Sequence, residues 1–252
     1  GRRGQAEEGS RVRVNGEATN QVPDGGDIAV TRLDRVEAEA IEWLWYPYIP
    51  IGKITMLEGN PGIGKSWILY TLAAHFSLGK ALPESKHVSR VRSLICSVED
   101  HVTDTMKNRL NKLGGDHKWS YATNQPFRLD EDGILKFEQM VVELQPKIVF
   151  FDPLFAYMGG GVDMFRANET REVLSRVQDV AIRHKFAAVC VRHLTKGDRG
   201  NALYRGQGSI DITAAARSVL VVGQDPDDDS LKVFMQIKNN LGPLGSPINF
   251  TL

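Results

Sequence analysis

Only two cysteines, Cys96 and Cys190, occur in 252 residues. Two thiols are too few for a structural zinc site, and each sits in an apolar run, so buried reduced thiols are expected. No apolar run is long enough to span a membrane, and no signal peptide opens the chain. Thiols that stay reduced suit the cytosol, so a cytoplasmic protein with no membrane partner is expected. Net charge is lacking too. Lys+Arg and Asp+Glu stand at 31 each, so any basic surface for nucleic acid must be local. The chain opens on Gly1 rather than Met, so a piece cut from something longer is expected.

Residues 1–30 have few large apolar side chains and cannot bury a core, so they read as a flexible extension or linker. Arg2, Arg3, Arg11 and Arg13 fit a solvated tail better than a nucleic-acid contact. Residues 31–252 are long enough for one large domain. Within it Leu33, Val36, Ala40, Ile41 and Leu44 recur at helical spacing, which predicts a short helix over 31–44. The aromatic stretch from Trp43 to Pro50 then leads into the first strand. Its rings fit a seal on the sheet edge better than a stacking platform for an adenine base.

The chain is organised around Gly59-Asn60-Pro61-Gly62-Ile63-Gly64-Lys65-Ser66, which fits Gly-x4-Gly-Lys-Ser/Thr. A strand over 53–58 precedes it and a helix beginning at Trp67 follows, the context this motif requires. Gly62 and Gly64 let the backbone take positive φ and turn its N–H groups on a phosphate chain. The helix N-terminus adds partial positive charge. Lys65 is placed for the β and γ phosphates of ATP, and the Ser66 hydroxyl for Mg2+.

Beyond this loop, strands and helices alternate. Strands are predicted over 91–98, 147–154, 186–194, 218–223, 231–238 and 248–251. Helices are predicted over 103–113, 133–144, 169–185 and 209–217. Alternation implies an α/β fold with a mainly parallel twisted sheet, helices on both faces, and antiparallel strands at its C-terminal edge. Ligands then bind at the C-terminal strand ends. Gly59, Glu99, Asp152 and His193 all lie just past such ends. Asp152 matches a Walker B carboxylate for Mg2+. Many P-loop ATPases put a water-activating Glu directly after it, but here that place holds Pro153. The base is therefore sought at the end of the preceding strand, in Glu99 or, with a one-residue shift, Asp100. Helix capping is the alternative duty for both.

Walker A, Glu99, Asp152-Pro153-Leu154 and Val191-Arg192-His193 together resemble the RecA-like P-loop ATPases. The stretches Arg192 to Lys196, Tyr204 to Ser209 and Ala214 to Arg217 resemble the RepA branch, the ring-forming hexameric replicative helicases. The similarity covers roughly residues 42–252. It implies that His193 senses the γ-phosphate. It implies that Arg217, with Arg205 as competitor, is an arginine finger for the neighbouring subunit. Lys238 resembles a second basic residue aimed at the neighbour's phosphates. The Gly-rich segments 158–168 and 195–208 match places where such rings touch single-stranded DNA. Phe165 there would stack on a base, and Arg166, Lys196 and Arg199 would meet phosphates.

The expectation is a Mg2+-dependent ATPase and DNA helicase, assembled as a homo-oligomeric ring, with primase or other replication proteins as further partners. An ATP-driven switch or loader acting on a protein partner is the first rival. A small-molecule P-loop kinase is the second, though the chain shows no Arg-rich lid segment. A nucleotide-binding scaffold without catalysis would have little use for Glu99 and Asp152 together.

Overall fold

The structure, a computed structural model, describes residues 13–14, 29–85, 89–123, 125–158, 167–194 and 210–252. The chain divides into two compact units, 1–40 and 41–252. In the first unit Arg13–Val14 pairs in parallel with Ala29–Val30, and Leu33–Arg35 forms one 3-10 turn. The helix expected over 31–44 does not form. Leu33 and Val36 are exposed, so no core rewards the stripe, and an isolated helix of that length gains too little from its own hydrogen bonds. Its far end, Trp43–Trp45, is instead a strand paired with Ile49–Pro50 in the second unit.

That hairpin does seal an edge. Trp45 stacks on Phe234 at 5.5 Å and 15°, and its indole N–H donates to the Pro83 carbonyl at 2.8 Å. Tyr48 is fully buried and donates to the Ser246 carbonyl at 2.8 Å.

The second unit is built on one eight-stranded sheet. Its strands in chain order are β1 (Ile54–Gly59), β2 (Ser93–Ser97), β3 (Ser120–Ala122), β4 (Ile148–Asp152), β5 (Ala187–His193), β6 (Ser218–Gln224), β7 (Lys232–Asn239) and β8 (Ile248–Phe250). In space they run β8-β7-β6-β1-β5-β4-β2-β3. The six from β6 to β3 are parallel, and β7 and β8 are antiparallel. This is the mixed, mostly parallel sheet of a RecA-like P-loop NTPase.

The central strands are apolar throughout because both faces are covered. Ile148 and Phe150 of β4 face α1 (Lys65–Leu78), packing with Leu69, Leu72, Ala73 and Phe76. Val149 and Phe151 point the other way, towards Val173, Leu174, Val177 and Val180 of α4 (Ala167–His184). Two shorter helices complete the α1 and α4 layers respectively: α2 (Lys107–Lys112) and α5 (Ile210–Ala215). Helix α3 (Glu131–Leu144) starts two residues earlier than its apolar stripe suggests, because the Asp130 carboxylate accepts from Gly133 N–H at 2.9 Å. The helix expected over 103–113 opens as a wide π turn, Val102–Met106, before becoming α2. Cys96 and Cys190 are free and buried, and burial pushes the Cys190 thiol up to about 12. Among the described residues no helix is long and apolar enough to cross a membrane.

The contrast between the two units is measurable. Phe150→Ala removes a fully buried ring between the sheet and α1, and should cost about 3–5 kcal/mol. Leu33→Ala removes an exposed side chain and should stay within about 0.5 kcal/mol. Denaturant midpoints of the two variants check this, and similar losses would contradict the packing described.

Candidate functional site

Register brings the chemistry to one edge of the sheet. Gly59 of β1 pairs with His193 of β5, and Ser97 of β2 pairs with Asp152 of β4. The chain then turns through the loop 59–66 into α1. Gly64 holds φ at 102° as it starts that helix, a backbone region open to glycine and strained for other residues. At Gly59 a Cβ would lie 2.8 Å from the Val222 carbonyl oxygen, so only glycine lets β1 and β6 approach here.

Lys65 is 5% exposed. Its ammonium donates to the carbonyls of Gly59 and Asn60, both at 2.9 Å, and lies 3.1 Å from His193 Nδ1. An ammonium has only donors, so Nδ1 must accept and the imidazole carries its proton on Nε2. That nitrogen is 3.7 Å from the Glu99 carboxylate. Burial lowers the pKa of Lys65, while Asp152 and Glu99 oppose that shift. His193 thus stands between the loop lysine and Glu99.

Ser66 Oγ donates to Asp152 at 2.8 Å. Burial pushes the Asp152 carboxyl up to about 6, the Ser66 bond opposes this, and the charges of Glu99 and Asp100 add to it. A buried carboxylate beside a hydroxyl is a pair of hard oxygen donors, and it fits a divalent cation that would restore the ionised form. Among the described residues no group of three or more His, Cys, Asp or Glu is placed to hold a metal alone.

Glu99 and Asp100 are sharply different. Asp100 accepts from the Tyr70 hydroxyl at 2.9 Å and from Arg109 at 2.5 Å. Arg109 also lies 5.3 Å from the ring centroids of both Trp67 and Tyr70. The Glu99 side chain is half exposed and faces His193. Neither caps the helix that follows, whose N-cap is His101. The Tyr70–Asp100–Arg109 cluster went unread in the sequence, although Trp67 and Tyr70 lie three apart on one helix face and so present both rings to the same partner.

A cavity of about 420 Å³ opens beside the loop, lined by Trp45, Trp67, Leu72, Phe234, Phe250 and Leu252 among others. Trp45 therefore both seals the sheet edge and forms part of this wall. Ile63 packs against the same core as Leu72 and Phe250. Asn60 and Pro61 are exposed on the loop.

Arg217 is far from this edge. It directly precedes β6, and its backbone N–H donates to the Ile54 carbonyl at 3.0 Å, at the opposite end of β1 from Gly59. Five residues of strand separate the two ends, about 16 Å at ~3.3 Å per residue, further than an arginine side chain reaches. Arg217 is exposed, and its guanidinium has no partner among the described residues. Lys238 lies nearby, but its ammonium donates to the carbonyls of Thr213, Ala214 and Ala216 at the end of α5. Burial, then the charge of Arg217, lowers the Lys238 pKa. Phe165, Arg166, Lys196, Arg199 and Arg205 lie outside the described residues.

A second cluster also went unread. Arg192 and Glu58 pair across β5 and β1, one residue before His193 and Gly59, and both are almost fully buried. The Arg192 guanidinium donates to the Glu58 carboxylate and, at 2.6 Å, to Thr213 Oγ1 of α5. Burial raises the Glu58 pKa and Arg192 opposes it. A lone charge in each of two apolar strands, one residue from the end, was the available signal.

A family model described as an AAA domain matches residues 22–199. No curated protein matches the chain. The match spans most of the chain and takes in the phosphate loop, Glu99, Asp152 and His193, so the protein belongs to the AAA domain family of ATP-binding P-loop ATPases.

Proposed function

We propose that the protein is a Mg2+-dependent ATPase that assembles head to tail into a ring, a hexamer, and moves single-stranded DNA as a RepA-type replicative helicase. One observation carries this reading. Arg217 is exposed, unpaired among the described residues, and set at the end of β1 remote from Lys65. A cation there cannot serve its own phosphate site, but it suits the site of a neighbour in a heterologous, closed assembly.

Within one site the geometry supports these roles. Backbone N–H groups of residues 62–66, at the start of α1, take the phosphates. Lys65 exchanges the Gly59 and Asn60 carbonyls and His193 for phosphate oxygens. Ser66 and Asp152 would hold Mg2+, which neutralises charge on those oxygens when bound. Glu99 accepts a proton from the attacking water as its oxygen bonds to the γ-phosphorus and the bond to the β-phosphate oxygen breaks. His193 loses Lys65 from Nδ1 when the lysine moves, and so registers the presence of the γ-phosphate. Arg217 covers transition-state charge from the adjacent subunit. Phe165, Arg166, Lys196 and Arg199 are the side chains assigned to DNA, which makes primase and other replication proteins natural partners.

Glu99→Gln should keep nucleotide binding and lower ATP turnover by about 10²–10⁴. Asp100→Asn should instead loosen the Tyr70 and Arg109 contacts, costing about 1–3 kcal/mol of stability while sparing the chemical step. Hydrolysis rates beside nucleotide titrations separate the two, and the reverse pattern would move the base to Asp100.

Arg217→Ala should lower turnover by about 10³ or more at nearly unchanged nucleotide affinity. Lys65→Ala should abolish turnover, yet mixing the two variants should restore part of it, since each supplies the half the other lacks. Absence of restoration would refute a shared site.

ATPase rate with and without single-stranded DNA, read beside sedimentation, tests the task itself. Stimulation by DNA and a ring-sized species are expected. A DNA-indifferent rate would favour the switch acting on a protein partner.

A further inference from the structure

The Arg192–Glu58 pair is costly by its position. Both side chains are buried at 0–1% exposure in a sheet whose neighbouring positions are apolar, and desolvating two charges is seldom recovered by their attraction alone. Replacing them with apolar residues would fill the same space, so their retention asks what the charge does there. The third member answers. Thr213 is 6% exposed, and its hydroxyl accepts from Arg192 at 2.6 Å while its carbonyl accepts from Lys238 at 2.7 Å. One residue of α5 is thus gripped from both sides of the sheet's chemistry.

Following these bonds outward gives one continuous path. At one end, the Lys65 ammonium touches His193. Its chain neighbour Arg192 crosses to Glu58, which directly precedes the phosphate loop, and to Thr213. Lys238 then ties Thr213, Ala214 and Ala216, and Arg217 follows at once. The backbone of Arg217 is pinned on both sides, by Ile54 O and by Asn240 N–H, each at 3.0 Å. Among the described residues, the Thr213 hydroxyl ties α5 to Arg192 of β5 and, through it, to Glu58 of β1. A planar guanidinium and a β-branched side chain are both stiff, so a small shift of β5 is passed on rather than absorbed.

We propose that Thr213 is a positioning residue that couples the phosphate end of its own subunit, through Arg192 and Glu58, to the placement of Arg217 towards the next subunit's nucleotide. The proposal rests on the shared-site reading above. It assigns to the buried ion pair a purpose that packing alone does not. When Lys65 leaves His193 for a phosphate, Arg192 moves with His193, and α5 carries the change to the far end of the sheet. The ATP state of one subunit thereby sets how well it serves its neighbour.

Thr213→Val removes the hydroxyl and keeps the shape. Its expected signature is a turnover number at least tenfold lower, with the KM for ATP within about twofold and sedimentation unchanged, and Thr213→Ser should restore most of the rate. Ile212→Val, on the same helix and buried, is the control for a merely loosened core, and it should leave turnover within about twofold.

The deciding measurement uses mixed assemblies. Arg217→Ala subunits supply an intact phosphate site, and Glu99→Gln subunits, which still bind ATP, supply an intact Arg217. Adding Thr213→Val to the Glu99→Gln subunit should cut the restored rate at least tenfold, while Ile212→Val in its place should not. Equal restoration with and without Thr213→Val overturns the coupling and leaves the shared site standing. No restoration from the two reference variants overturns the shared site, and the coupling falls with it. An equal loss with Ile212→Val would show a packing effect and also overturn the coupling.

Discussion

The contact on which the nucleotide end depends is that of the Lys65 ammonium with two carbonyls and one imidazole. A cation this buried cannot remain without acceptors, and all three of its protons are directed at Gly59, Asn60 and His193. Those partners set the shape of the loop and the tautomer of His193, and they orient the second imidazole nitrogen towards Glu99. They are also neutral, so a phosphate chain competes for the lysine with a full negative charge. The same atom that holds the loop closed around itself is therefore the one that ATP would draw away. Loop shape, the His193 tautomer and the His193 contact with Glu99 all depend on this single donor.

The sheet separates this end from the other. Parallel strands covered on both faces leave polar side chains mainly near their ends, and here both ends carry them. The carboxyl edge carries Gly59, Ser97, Asp152 and His193 in register. The amino edge carries Arg217, held to Ile54 and Asn240 and flanked by Lys238. Glu58 and Arg192 lie one residue inside the carboxyl edge, and the Arg192 bond to Thr213 links them to α5, which leads to Arg217 at the amino edge.

Much of this was legible because the signals were local. The phosphate loop needs a strand, glycines and a helix in sequence order, and all three are contiguous. Asp152 could be read from an apolar run that stops at a carboxylate. Pro153 then diverted the search for a base to Glu99, and the structure leaves Glu99 facing His193 while Asp100 is taken up by Tyr70 and Arg109. What could not be read was set by distant partners. Helical spacing over 31–44 was real, but spacing reports a face, and no core lies under this one. The Lys238 ammonium resembled a cation aimed outward, yet three carbonyls of α5 hold it. The Arg192–Glu58–Thr213 cluster joins residues more than a hundred positions apart, and no short window contains it.

The family match ends at residue 199. The residues proposed for the subunit's own phosphates, the loop, Glu99, Asp152 and His193, lie before that point. Thr213, Arg217 and Lys238 lie after it, in the segment that builds β6, β7 and β8 and extends the sheet beyond β1. Strand β6 pairs with β1 along its length, from Thr55 to Gly59, so the later segment is registered against the very strand that carries the loop. A region added at that edge inherits its alignment from β1 and needs only one polar tether to sense what happens at the strand's far end. Thr213 occupies that position, and its partner Arg192 comes from the matched region. Under the shared-site proposal, the joint between the two halves of the sequence is also the joint between a subunit's own site and what it would offer to its neighbour.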